Sequence, residues 1–192
     1  LRKRIDLIDL KILDLLMKRS EISKSIGKQK KSQNIFRPER QALILKNLFS
    51  YKKNKIMSKV ILSYWRSIFL SQINLQGGIE LLIIKPNDQL LQRIYDYFTH
   101  DVKIVKETSL KKAIKKVSSK KNTLLILPYP GKKKNNVWWL KIKFEKVFIV
   151  SSLPFILEKS KKPEFVILSK YIPSLEKDSY AFYISRKRII NK

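Results

Sequence analysis

The chain of 192 residues has no cysteine, one histidine, four glycines and only 15 acidic residues against 43 lysines and arginines. Without cysteine there are neither disulfides nor thiolate metal sites, and the composition suits a reducing cytoplasm, the expected location. The lone histidine, His100, lacks metal-ligating neighbours and reads as a surface residue. The few glycines build no phosphate-cradling loop, and no nucleophile elbow is present. No apolar run reaches membrane-spanning length, and the charged, amphipathic opening is not a signal peptide. The chain opens on leucine, so native residues are expected ahead of Leu1. The shortage of acids leaves a net charge of +28, divided as +13 over residues 1–76 and +15 over residues 77–192. Nucleic-acid binding would gather such an excess into a patch or tail. An even spread, with 34 lysines to 9 arginines, reads instead as a compositional habit that keeps the surface solvated.

What is present divides at Gly77-Gly78. Before it, three helices are expected. The first runs from about Leu1 to Lys31, with Ile5, Ile8, Ile12, Leu15, Arg19, Ile22 and Ile26 spaced alternately by three and four residues. That is the seam of an amphipathic helix packing on another helix. The second starts at Pro38, whose missing N–H costs nothing in a first turn, and continues through "ERQALILKNLF". The third spans roughly Ile56 to Leu75. After the two glycines, "IELLII", "VKIV", "TLLILP", "KVFIVSSL", "EFVILSK" and "SYAFYIS" read as strands. "NDQLLQRIYDYF" and "SLKKAIKKVS" read as helices between the first three. The fold class is therefore α plus α/β: a helical domain over residues 1–76 and a small α/β domain over residues 79–192. "PGKKKNN" reads as a solvated turn, and Trp138-Trp139 as core or interface packing.

Arg19 is out of place in an apolar seam. An internal salt bridge would explain it, but the helical part has only Asp6, Asp9, Asp14, Glu21 and Glu39 against 18 cations. Other polar residues also fall on the apolar stripes: Lys30, which returns to nearly the face of Arg19, then Gln41 beside Arg40, and Gln72 and Gln76. Three helices that turn cations and amides inward make a pocket for an anion, above all a carboxylate, which arginine grips through paired hydrogen bonds.

"LRKRIDLIDLKILDLLMKR", "IGKQK", "RPERQ" and "SQINLQ", in this order, resemble the all-helical (type II) chorismate mutases over about residues 1–76. The resemblance implies a three-helix bundle in an intertwined homodimer, with chorismate as substrate and no cofactor or metal. It implies that Arg2 reaches into the partner's site to hold a carboxylate, while Arg19 and Arg40 fix the carboxylates from within the protomer. Lys30 and Gln76 would be the catalytic donors to the ether oxygen. Gln41 stands where the family usually has a glutamate that binds the ring hydroxyl, so it would act as an acceptor. Gln72, a further substrate-binding position, replaces a common small hydroxyl residue, and Arg37 lies near a usual aspartate. Neither a membrane nor a nucleic acid is expected as a partner.

The competing readings are an isochorismate pyruvate lyase-like enzyme and a non-catalytic chorismate- or prephenate-binding regulator. Over residues 79–192, "SLKKAIKKVSSKKNTLLILPYP" and "PEFVILSKYIPSLEKDSYAFYIS" resemble stretches of prephenate dehydratase. Pro163 and Glu164 replace the threonine and arginine of its Thr-Arg-Phe motif, leaving Phe165, and Tyr129-Pro130 stand where a Glu-Asn pair would begin. A degenerate, shortened domain without dehydratase activity is expected.

Overall fold

The computed structural model describes residues 1–29, 34–51, 58–131, 138–141, 147–156 and 162–172. Its helical N-terminal region comprises α1 (Arg2–Gln29), α2 (Pro38–Phe49) and α3 (Ser58–Leu75). A mixed five-stranded sheet follows, built as β1 (Glu80–Ile84), α4 (Asp88–Phe98), β2 (Lys103–Glu107), α5 (Leu110–Ser119), β3 (Thr123–Pro128), β4 (Phe148–Leu153) and β5 (Phe165–Ser169). The strand order is β2-β1-β3-β5-β4. β1 lies between β2 and β3 and runs parallel to both. This is the expected strand–helix–strand–helix–strand unit, and β5 then enters antiparallel to both β3 and β4, which makes the sheet mixed. The expected strand in "SYAFYIS" and most of "PGKKKNN" lie outside the described residues.

Local chemistry sets the boundaries. Pro38 opens α2, the Asn87 side chain accepts from the Leu90 N–H at 2.8 Å to start α4, and the Ser109 hydroxyl accepts from Lys112 N–H to start α5. Gly77 and Gly78 end α3 with φ of 114° and 73°, a region that side chains with a Cβ avoid. The Gly78 N–H closes back on the Ile73 carbonyl at 3.0 Å, so the chain turns sharply into β1.

Alternation along the strands divides the core between two faces. Leu81, Ile83, Leu124, Ile126, Phe165 and Ile167 face one side, where Ile94, Tyr97 and Phe98 of α4 cover them. Leu82, Leu125, Leu127, Val166 and Leu168 face the other, against Ala113 and Val117 of α5 and the indole of Trp138. Trp138 donates from Nε1 to the Pro128 carbonyl at 2.8 Å, which fixes it as a packing residue. His100 is exposed and stacks on Tyr95. Phe36, fully buried, and Ile73 join the α4-side cluster, so the helical region and the sheet share one core.

The front of α1 differs. Residues 2–15 are exposed throughout, and the apolar seam residues Ile5, Ile8, Ile12, Leu15, Ile22 and Ile26 are between 43% and 64% exposed. Among the described residues the seam expected to pack on a helix is uncovered, and the three helices of one chain do not close around it.

One buried carboxylate anchors the start of the sheet. Glu80 receives Lys103 at 2.9 Å, Lys120 at 3.1 Å and Lys116 at 3.5 Å. Burial alone would raise its pKa, but hydrogen bonds from Lys103 and Lys120 and the charge of Lys116 outweigh it and hold the carboxyl at about 2. A depressed carboxylate stabilises the fold above its unfolded pKa, and that contribution is lost as pH falls through 4.5 toward 2. Urea titrations between pH 6 and pH 2 should show the wild type losing up to roughly 3 kcal/mol that Glu80→Gln does not lose.

Candidate functional site

A cavity of about 550 Å³ lies where α1, α2 and α3 meet the turn between α5 and β3. Helical spacing brings its residues to one place. Arg19, Ser23 and Gly27 recur every four residues on α1, Arg40 and Ile44 are one turn apart on α2, and Gln72 and Gln76 end α3. Gln41 and Arg37 complete the α2 wall, and Lys121 and Asn122 close the cavity from the sheet.

The electrostatics of the cavity are one-sided. None of its lining residues carries a carboxylate. Burial first, and then the neighbouring charge of Arg40, lower the Arg19 pKa from the ordinary arginine value. Arg19 Nη1 is buried and has no hydrogen-bond partner. Among the described residues no acid pairs with Arg19: Asp14 takes Lys18, and Glu39 takes Arg37. An internal salt bridge therefore does not account for this arginine. Two uncompensated guanidiniums facing a cavity can hold a dianion, since each offers a planar pair of donors.

The other expected residues divide. Gln72 donates from Nε2 to the Ser20 hydroxyl at 3.1 Å and leaves its Oε1 buried without a partner. Gln41 is buried and lines the cavity, but its Oε1 already accepts from the Tyr97 hydroxyl at 2.6 Å. Gln76 lies against α1 where there is no side chain: a Cβ on Gly27 would come within 3.0 Å of Gln76 Cγ. Arg2 is exposed at the other end of α1, about 25 Å along the helix from Arg19. It does not reach the cavity of its own chain. Lys30 lies outside the described residues. Arg19, Arg40, Gln41, Gln72 and Gln76 are thus brought together, and Arg2 is not.

Residues 1–77 match the family model of chorismate mutase type II. The chain is also 21% identical over 137 residues to a bifunctional chorismate mutase/prephenate dehydratase of Neisseria gonorrhoeae (strain ATCC 700825 / FA 1090). That similarity takes in 71% of this chain and 38% of the relative, so the chain spans well under half of the relative's length. It is longer than the mutase-type segment and so runs on into the sheet, in keeping with the faint dehydratase resemblance there. No solved structure matches the chain significantly. No helix among the described residues is long and apolar enough to cross a membrane, and among them no three His, Cys, Asp or Glu side chains gather as metal ligands would.

Sequence reasoning missed Lys121 and Asn122, which the fold brings to the cavity from far along the chain, and Tyr97, which holds Gln41 at its wall. Gly27, within "IGKQK", is a further residue whose place against Gln76 only the fold reveals. Alanine there gains about 1 kcal/mol of helix propensity but must displace Gln76. Gly27→Ala should keep or raise thermal stability while turnover of a substrate that contacts Gln76 falls about 3–10-fold, because small displacements of a positioned group are costly. Paired melting and steady-state measurements would check both halves.

Proposed function

We propose that the protein is a cytoplasmic chorismate mutase that converts chorismate to prephenate, serving the synthesis of phenylalanine and tyrosine. The observation that carries this reading is the pairing of Arg19 with Arg40 at a cavity without a carboxylate. The family match over the same helices supports it.

The rearrangement is intramolecular. The bond from ring carbon to ether oxygen breaks while a carbon–carbon bond forms, with no nucleophile, metal or redox partner. Two tasks fall to the protein. It must hold a flexible dianion in a compact, chair-like shape, which is catalysis by positioning. It must also stabilise negative charge growing on the ether oxygen, where each fixed donor is worth about 2.7–4 kcal/mol. Arg19 and Arg40 serve the first task, with Gln72 and Gln41 along the wall. Gln76, held against Gly27, serves the second together with Lys30. The surplus of positive charge draws the dianion in.

Arg19→Ala should lower kcat/KM at least about 100-fold, and Arg19→Lys should recover little, because an ammonium cannot make the planar double contact. Folding stability should stay level or rise, since the substitution removes a half-buried cation without a partner. An unfolded variant would return the residue to a structural role. Full-length protein given prephenate should release no phenylpyruvate above background. Glu164, which stands where an arginine would hold the substrate, is occupied by Arg93 at 2.7 Å and by Gln89 at 2.9 Å. A purely regulatory protein would bind chorismate without producing prephenate.

The site is further proposed to be completed by a second copy of the chain, with Arg2 contributed across a homodimer. The uncovered seam on the front of α1 and the distance of Arg2 from its own cavity support this arrangement. Mixing inactive Arg2→Ala and Arg19→Ala subunits should restore roughly a quarter of wild-type activity, because half of a random mixture is hybrid and each hybrid keeps one intact site. No recovery after demonstrated subunit exchange would remove Arg2 from the site.

A further inference from the structure

Three residues that line the cavity carry a polar atom that is buried without a partner: Arg19 Nη1, Gln72 Oε1 and Asn122 Oδ1. Arg19 and Gln72 lie on helices within the family match. Asn122 lies far beyond it, in the turn between α5 and β3. We infer that Asn122 is a substrate-binding residue of this site, its side-chain carbonyl accepting a hydrogen bond from the ring hydroxyl of the dianion. The inference rests on the mutase reading above.

Chorismate presents two carboxylates and an ether oxygen, which call for donors, and one hydroxyl, which calls for an acceptor. Donors are plentiful in the guanidiniums of Arg19 and Arg40 and the amide of Gln76. Several lining side chains carry an acceptor oxygen, Ser23 and Asn34 among them, but only Gln72 Oε1 and Asn122 Oδ1 are buried there without a partner. Gln41, at the position where the family places an acidic group for the hydroxyl, has its Oε1 engaged by Tyr97. Burial raises the Tyr97 pKa, so the phenol keeps its proton and goes on donating. Gln41 therefore has one of its two acceptor sites taken and presents its NH₂ as a free donor. Gln72 Oε1 has no partner, but its amide is tied to Ser20, next to Arg19, at the end of the cavity where the mutase reading seats a carboxylate. An acceptor there would face oxygens of its own sign.

Asn122 remains. Its backbone is fixed at φ 55°, and its carbonyl accepts from the Glu80 N–H at 2.9 Å, so the side chain springs from a set point at the start of β3. A turn accounts for an asparagine with positive φ. It does not account for an Oδ1 that is buried and unpaired, an arrangement folded proteins avoid unless something else completes it. Lys121 beside it adds a cation to the same wall.

Asn122→Gly keeps the backbone conformation and removes the acceptor. Turnover is measured with chorismate and with an analogue whose ring hydroxyl is replaced by hydrogen. The wild type should prefer chorismate by about 3–10-fold in kcat/KM, the worth of one neutral hydrogen bond. Asn122→Gly should lose that much on chorismate, lose nothing on the analogue, and no longer distinguish them. The inference is overturned if the variant keeps the preference, or if both substrates suffer equally as a structural role would dictate. It is also overturned if Gln72→Leu abolishes the preference instead. A wild type that neither binds nor converts chorismate would defeat the mutase reading before any variant is made, and this inference with it.

Discussion

Phe36 holds the molecule's two kinds of architecture together. Its ring is fully buried, 5.6 Å from the centroid of Phe98 and 6.3 Å from that of Tyr97. Burying a phenylalanine of this kind contributes roughly 1.5–3 kcal/mol, and the edge-to-face contact with Tyr97 adds to it. Its geometric effect matters more. Pro38 follows two residues later with a fixed φ, so the seating of Phe36 on the sheet layer aims α2. That direction places Arg40 beside Arg19 and Gln41 beneath Tyr97. The Tyr171 hydroxyl reinforces it, donating to Glu39 at 3.0 Å from just beyond β5. The sheet acts as a base plate for the cavity.

The site itself is electrostatically incomplete. Two guanidiniums share a cavity wall without an acid, an arrangement that destabilises the empty protein. A dianion entering the cavity would supply the missing counter-charge. Binding and stability would then be linked, the fold gaining free energy with ligand concentration. Elsewhere on the chain the scarce acids are spent on structure: Glu80 gathers three lysines, Glu39 takes Arg37 and Glu164 takes Arg93. The shortage of acidic residues is sharpest at the cavity.

Period and turn chemistry made most elements legible in the sequence. Pro38, Asn87, Ser109 and the Gly77-Gly78 pair mark boundaries by local rules that hold in any context, and the strands announced themselves as short β-branched runs. The inward cations were legible too, because Arg19 breaks a regular stripe. What could not be read was the partnership across the two regions. Nothing local links Gln41 to Tyr97, 56 residues apart, or sets Asn122 against helices it follows by half the chain. Those contacts depend on how α2 lies on the sheet, which follows from the seating of Phe36 and not from any periodicity. The antiparallel entry of β5 was hidden for a related reason, since strand direction is a property of the connections and not of the strand.

Glu164 also has a meaning of its own within the sheet domain. Open α/β sheets take their ligands at the carboxyl ends of the parallel strands. Arg93 and Gln89, on the helix leaving β1, point their donors at a carboxylate there, and Glu164 is held at the end of β3 by the Tyr129 N–H. A bidentate guanidinium and an amide around one carboxylate is how such a cleft would grip an acidic metabolite. Here the guest is part of the chain. A tethered group acts at an effective concentration in the millimolar range or above, so a free acid would have to exceed it to enter. At the carboxyl ends of these strands, the donors of Arg93 and Gln89 thus meet a carboxylate that the chain itself supplies.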